Sequence, residues 1–140
     1  KKIPSWKSKV FDQKREYSTR ISYLKKISDN LDAKSELEFY SNNSFEIFVL
    51  FYEEFLHLES TLKAKGGLRT CSEYFKYLCN VLKTLMKSVE EKIRNGYNYY
   101  AIHFVVRKLI HPSNYPKARR YGIELGLIWL HCLQEPFDIF

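Results

Sequence analysis

The sequence predicts an all-α protein, a right-handed stack of antiparallel helices with about five members. Glycine and proline are scarce, at 5 and 4 residues, so the chain has few places to turn. Long segments instead repeat apolar residues at the period of a helix. Successive helix starts near residues 44, 70, 97 and 116 give helix pairs of about 45 residues, which is the span of armadillo and HEAT repeats. We therefore expect an armadillo/HEAT-like helical array.

The length of 140 residues predicts a single domain over 1–140. We divide it into a long basic N-terminal helix and linker over 1–34 and a helical-repeat-like core over 35–140. A hydrophobic content of 45% argues against disorder. No apolar run reaches the roughly 18 residues of a membrane span, and no signal-peptide core follows the Lys-Lys start. These features predict a cytoplasmic location, and the lack of an initial methionine suggests a fragment.

The first helix is predicted to begin after Ser5 as N-cap and to end at Ser28. Its apolar residues form one narrow stripe on a charged rod, namely Trp6, Val10, Tyr17, Ile21 and Leu24. The next helix has a capping-box pattern at Ser35-x-x-Glu38. The polar run 41–44 is expected to interrupt that helix, with Ser44 capping the part that follows.

A helix with a broad apolar face is predicted from residue 45, and Gly66-Gly67 ends it. Its aromatic residues share helical spacing, so we assign them to the core rather than to base stacking: Phe45, Phe48, Phe51, Tyr52 and Phe55. Thr70-x-x-Glu73 is a second capping box, and the helix behind it should continue until Asn95-Gly96.

The last third of the chain predicts two helices joined by a short turn. The first runs from about Tyr97 to Ile110, and the second from Pro116 to about Gln134. Residues 121–133 contain only Glu124 and His131 as strongly polar side chains. A helix that is apolar on nearly every side is expected to be surrounded by other helices. Gly122 and Gly126 predict the close approach of one of them.

Few residues suggest catalysis or metal binding. Glu54-x-x-His57 has the spacing found in carboxylate-bridged di-iron bundles, but those sites need a second such pair, which this chain lacks. No phosphate-binding loop or nucleophile motif is present. We predict no enzyme activity, no cofactor, no metal and no small-molecule substrate. The three cysteines, Cys71, Cys79 and Cys132, are expected to be reduced packing residues.

Charge alternates in sign along the chain. Residues 36–62 carry six Glu and no Lys or Arg, whereas residues 63–120 carry thirteen Lys or Arg against three acidic residues. The basic residues near the last inter-helix turn suggest a surface that receives an acidic partner, and the predicted partner-binding residues are Lys108, His111, Arg119 and Arg120. The alternative is a solvated face whose cations pair with the Glu-rich helix.

Several segments resemble the N-terminal region of Ral GTPase-activating protein alpha subunits, within the tuberin-like Rap/Ran-GAP family. The similarity lies in an acidic-aromatic helix, a Leu-Lys-x-Lys exit, a Leu-Ile-His turn and an Arg-Arg helix that ends in Leu-Ile-Trp-Leu. These segments are 51–55, 59–65, 109–111 and 117–130. Their shared order covers nearly the whole chain.

The resemblance implies a non-catalytic scaffold segment that serves complex assembly and small-GTPase signalling. Its implied partners are a Ral GTPase-activating protein beta subunit and Ras-family small GTPases. The family's catalytic domain lies at the far C-terminus, and nothing in these residues corresponds to it. A basic module that binds nucleic acid or an anionic membrane surface is the alternative function, although cations that bind nucleic acid more often form one stripe.

Overall fold

The computed structural model describes residues 2–63 and 72–134. These ranges contain eight α-helices and one 3-10 turn, and no strand occurs within them. The helices are α1 (Ile3–Val10), α2 (Tyr17–Asp29), α3 (Ala33–Asn42), α4 (Ser44–Leu58), α5 (Ser72–Ser88), α6 (Glu90–Arg94), α7 (Tyr99–Ile110) and α8 (Pro116–Leu133), with the 3-10 turn at Glu59–Leu62. The prediction of an all-α helical array is confirmed. None of the described helices is long and apolar enough to cross a bilayer.

Helix α5 occupies the middle of the array and packs against α3, α4, α6 and α8. Helix α8 runs parallel to α5, since Tyr121 lies beside Phe75 near one end and Cys132 beside Met86 near the other. Helix α7 packs against α8, and α1 packs against α2. A helix that contacts four others must be apolar around much of its surface, and α5 buries seven apolar side chains.

The core is a continuous set of aromatic rings that links α4 to α5 and α8. Phe51 stacks on Phe55 with ring centroids 6.1 Å apart, and Phe55 lies 6.4 Å from Phe75. Phe75 in turn lies 6.1 Å from Tyr121. These separations lie in the range that favours aromatic pairs. The predicted core position of the aromatic residues of α4 is confirmed except at Phe45, which is 68% exposed.

The single long first helix predicted from the sequence is wrong, because the chain breaks between α1 and α2. The Asp12 side chain accepts a hydrogen bond from the backbone N–H of Lys14 at 3.0 Å, and this local turn replaces the helical ladder. The Arg20 side chain is buried, and its Nε donates to the Val10 carbonyl at 2.7 Å. This bond satisfies a free carbonyl at the end of α1 and holds the two helices together.

The start of α3 also differs from the prediction. Asp32, rather than Ser35, is the N-cap, and its carboxylate accepts from the Ser35 backbone N–H at 2.8 Å. Asp32 is exposed, and the hydrogen bonds from Ser35 lower the pKa of its carboxyl group. The predicted interruption before Ser44 is confirmed, since Asn43 leaves the helical conformation with φ −125° and ψ 28°, but Asn43 rather than Ser44 is the N-cap of α4. Gly66-Gly67 and Thr70 lie outside the described residues.

The helix predicted to run unbroken to residue 94 is interrupted at Val89. There φ is −129° and ψ is 41°, and the short helix α6 follows. The Leu85 carbonyl accepts from the Ser88 hydroxyl at 2.8 Å as well as from the Val89 backbone N–H at 3.1 Å. The predicted stop at Asn95-Gly96 is confirmed, and Gly96 has a φ of 96°, a conformation that glycine adopts without steric cost.

Candidate protein-interaction surface

The turn between α7 and α8 is built around Asn114, which is 4% exposed. Its side-chain amide donates to the carbonyls of Lys108 at 2.5 Å and Leu109 at 2.9 Å. The end of α7 would otherwise leave these carbonyls without a donor. The Arg119 guanidinium bonds to the carbonyls of Pro112, at 3.2 Å, and of Asn114. The turn is therefore held by two side chains that bond to backbone.

Replacing Asn114 with alanine is expected to lower the free energy of unfolding by about 1–3 kcal/mol, because the carbonyls of Lys108 and Leu109 would lose their side-chain donor. Ser113→Ala is the matched control, since Ser113 is exposed and its hydroxyl lies 2.8 Å from the His111 Nδ1. Urea unfolding followed by circular dichroism would measure both. A loss for Asn114→Ala no greater than that for Ser113→Ala would contradict this role.

The four predicted partner-binding residues lie at or near the turn between α7 and α8 and have different contacts. Lys108 forms an ion pair with Glu59, with Nζ and Oε1 3.5 Å apart, and its ammonium lies 5.4 Å from the centre of the Phe104 ring. Arg119 holds the turn. His111 and Arg120 are exposed, and Arg120 lies on the outer face of α8. Glu59 belongs to the Glu-rich segment 36–62. The Lys108–Glu59 pair therefore agrees with the alternative interpretation, in which the cations pair with that segment.

Two small cavities lie beside Lys108 and His111. One has a volume of about 170 Å³ and is also lined by Glu59 and Asn114. The other has a volume of about 300 Å³, and Arg107 and Phe104 complete its lining. The second cavity brings three basic side chains together on the outer side of α7, where an acidic group from a partner would be attracted.

The sequence interpretation missed an exposed apolar stripe on α8. Ile123, Leu127 and Leu130 are 56%, 63% and 55% exposed, and their spacing places them on one face of the helix. The prediction that other helices surround α8 is therefore wrong within the described part of the chain. The two glycines could have indicated this stripe in the sequence. Gly122 and Gly126 mark the face of α8 that packs against α7, and residues 123, 127 and 130 lie on a different face.

Gly122 confirms the predicted close helix approach. A Cβ atom built at this position would lie 2.7 Å from both the Leu109 Cβ and the Ile110 Cγ2. At Gly126 the nearest atom is the Val106 Cγ1 at 3.4 Å, which is an ordinary contact. Helix α7 is thus antiparallel to α8, and the two helices approach each other most closely at the end near the turn.

Glu54 and His57 form a pair at the edge of a cleft of about 610 Å³. The Glu54 side chain is buried, its Oε1 lies 3.4 Å from the His57 Nδ1, and its Oε2 accepts from the Tyr74 hydroxyl. Over residues 2–63 and 72–134, no three His, Cys, Asp or Glu side chains are grouped so that they could hold a metal ion. The pair is thus a buried carboxylate held by the Tyr74 hydroxyl at one oxygen, with the His57 ring beside the other.

Cys79 and Cys132 are buried and unpaired, as predicted for packing residues. Burial raises the pKa of both thiols, which disfavours the reactive thiolate. Cys71 lies outside the described residues.

Comparison with known proteins gives consistent matches. The family model described as RALGAPA1 N-terminal domain matches residues 2–138. The mouse protein named Ral GTPase-activating protein subunit alpha-2 is 34% identical over 126 residues, which is 90% of this chain and 7% of that protein. Human Ral GTPase-activating protein subunit alpha-1 is 29% identical over 127 residues, which is 91% of this chain and 6% of that protein. The chain thus spans a small part of these relatives. No solved structure matches it.

Proposed function

This chain belongs to the RALGAPA1 N-terminal domain family, and on that premise we propose that it is a non-catalytic α-helical scaffold module. It would form part of a cytoplasmic Ral GTPase-activating protein alpha subunit and serve complex assembly in small-GTPase signalling. The observation that supports this role is the α7–α8 hairpin, whose exposed face is rich in basic and apolar side chains. Such surfaces are typical of sites that bind another protein.

The proposed partners are a Ral GTPase-activating protein beta subunit and, through it, Ras-family small GTPases. The relatives are named as subunits of a Ral GTPase-activating protein. Assembly with a second subunit would therefore link this domain to GTPase activation. Lys108, His111 and Arg120 are the predicted contact residues that are exposed, and Lys108 and His111 line the same two cavities. Arg119 acts in this proposal as a positioning residue, because it fixes the turn that presents the other three.

The alternative, a basic module for nucleic acid or anionic membrane, is less well supported. Several cations are already paired within the chain: Arg15 with Asp12, Lys25 with Asp29, Lys83 with Glu124, Arg94 with Glu90 and Lys108 with Glu59. Binding to nucleic acid depends on cations that can neutralise phosphates and release counterions. Cations that face acidic side chains contribute less to that binding.

A GTP-hydrolysis assay tests the non-catalytic role. Ral loaded with GTP is expected to hydrolyse it at the same rate with and without the purified chain. The assembled alpha–beta complex serves as the positive control for the assay. Measured acceleration by this chain alone would contradict the proposal.

Co-purification tests the partner. The tagged chain is expected to retain the beta subunit, and Arg120→Glu is expected to weaken this binding about tenfold because it reverses one exposed charge. Lys34→Glu, on the exposed side of α3, is the matched control and should not change binding. Absence of beta-subunit binding, or salt-sensitive binding to duplex DNA or anionic vesicles in its place, would contradict the proposed function.

A further inference from the structure

We propose that the open face of the α7–α8 hairpin docks an amphipathic helix whose apolar stripe is flanked by Asp and Glu, supplied by a partner protein. This inference rests on the proposed scaffold function, because it specifies the kind of partner that the module binds. The anchors are Ile110, Ile123, Leu127 and Leu130, all large apolar side chains that are at least 42% exposed. We call this set the hairpin face.

The arrangement of the anchors fits a helix as the occupant. Ile123, Leu127 and Leu130 follow the spacing i, i+4, i+7, which gives one straight apolar row two turns long. Ile110 comes from α7 and contacts α8 at Gly122, so it adds an exposed apolar side chain where the two helices meet. An amphipathic helix that inserts its own apolar row against such a surface is a common recognition mode.

Charge determines the kind of helix. Helix α7 contains no acidic residue, and the single acidic residue of α8, Glu124, is paired with Lys83 at 2.9 Å. Arg107, Lys117 and Arg120 are exposed and form no ion pair with any residue in the described ranges. The rim of the hairpin face is therefore positive, and a helix with flanking carboxylates would be complementary to it.

The same charge argues against a second copy of this chain as the occupant. Two hairpin faces brought together would place the exposed cations Arg107, Lys117 and Arg120 of one copy near those of the other. Like charges held close together across an interface oppose association. A lipid surface is also less favoured, because helices that lie on membranes present an apolar face along their length, whereas this row covers two turns.

Two designed helical peptides of about 20 residues would test the proposal. Both carry the same Leu row, one flanked by Glu and the other by Lys, and their binding to the full chain is measured by fluorescence anisotropy. The Glu peptide is expected to bind at least about tenfold more tightly than the Lys peptide. Leu127→Asp should reduce binding of the Glu peptide by about tenfold or more, because it places a carboxylate among the anchors.

The matched control is Phe45→Asp, which changes an exposed apolar residue on α4, away from the hairpin face. It should leave peptide affinity unchanged, and circular dichroism should show that both variants remain helical. Equal affinity for the two peptides, or binding that survives Leu127→Asp, would overturn the inference. Two other results would overturn it if the Glu peptide does not bind. One is a dimer of the chain that Leu127→Asp abolishes, and the other is binding to phosphatidylserine vesicles that Leu127→Asp abolishes.

The peptide and beta-subunit experiments separate the two proposals. Retention of the beta subunit without peptide binding would overturn only the helix-docking inference. Peptide binding without beta-subunit retention would overturn the partner assignment and leave the hairpin face as a helix-binding site.

Discussion

Phe55→Ala is expected to lower the free energy of unfolding by about 3–5 kcal/mol, the range for removing a buried phenylalanine. Phe55 is fully buried and contacts the rings of Phe51 and Phe75. Its removal would leave a cavity between α4 and α5 and interrupt the aromatic set that extends to α8. Surrounding rings cannot fill this space without leaving their own contacts, so relaxation would recover little of the loss.

Phe45→Ala is the matched control because it makes the same substitution on the same helix. Phe45 is 68% exposed, so the change in unfolding free energy should be within about 0.5 kcal/mol. Guanidinium unfolding followed by circular dichroism would measure both variants in one experiment. Equal losses would show that α4 does not bury the face described here.

Local signals in the sequence located most helix ends correctly. Pro116 opens α8, the Asn43 break separates α3 from α4, and Asn95-Gly96 ends α6. In each case one or two adjacent residues fix the backbone, by a restricted φ or by a tolerance for unusual φ and ψ. The family resemblance was likewise predictable, because it depends on the order of short segments along the chain.

The incorrect predictions concern features that the spacing of apolar residues along a helix does not indicate. The break after Val10 depends on a short turn at Asp12 and on Arg20, a charged side chain that bonds to backbone from the next helix. The period of apolar residues continues through this break, so the pattern alone predicts one helix. Similarly, the exposed stripe of α8 has the same composition as a buried one, and only the position of neighbouring helices distinguishes them.

The predicted site shows the same limit. The basic residues around the last turn could be listed from the sequence, but their separate roles depend on three-dimensional contacts. Arg119 and Arg120 are adjacent in sequence, yet one bonds to the turn carbonyls and the other is exposed on α8. Successive helical residues are about 100° apart, so neighbours in sequence face different surroundings. The charge of a segment therefore does not identify which of its residues can bind a partner.

Gly122→Ala is expected to lower the free energy of unfolding by about 1–3 kcal/mol, as for other over-packed positions. The added Cβ would lie 2.7 Å from the Leu109 Cβ and 3.1 Å from the Ile110 backbone nitrogen. Neither atom is at the free end of a side chain, so α7 and α8 would have to move apart. This separation would also disturb the hairpin face, whose anchors come from both helices.

Gly126→Ala, one turn further along α8, is the matched comparison. Its added Cβ would be 3.4 Å from the Val106 Cγ1, a normal contact, and alanine favours a helix over glycine by about 0.5–1 kcal/mol. Gly126→Ala should therefore be as stable as the original chain or slightly more stable. Thermal and guanidinium unfolding would give opposite shifts for the two substitutions. A stabilising Gly122→Ala would show that the helices are not in close contact there, because the gain in helix propensity would then act without a steric cost.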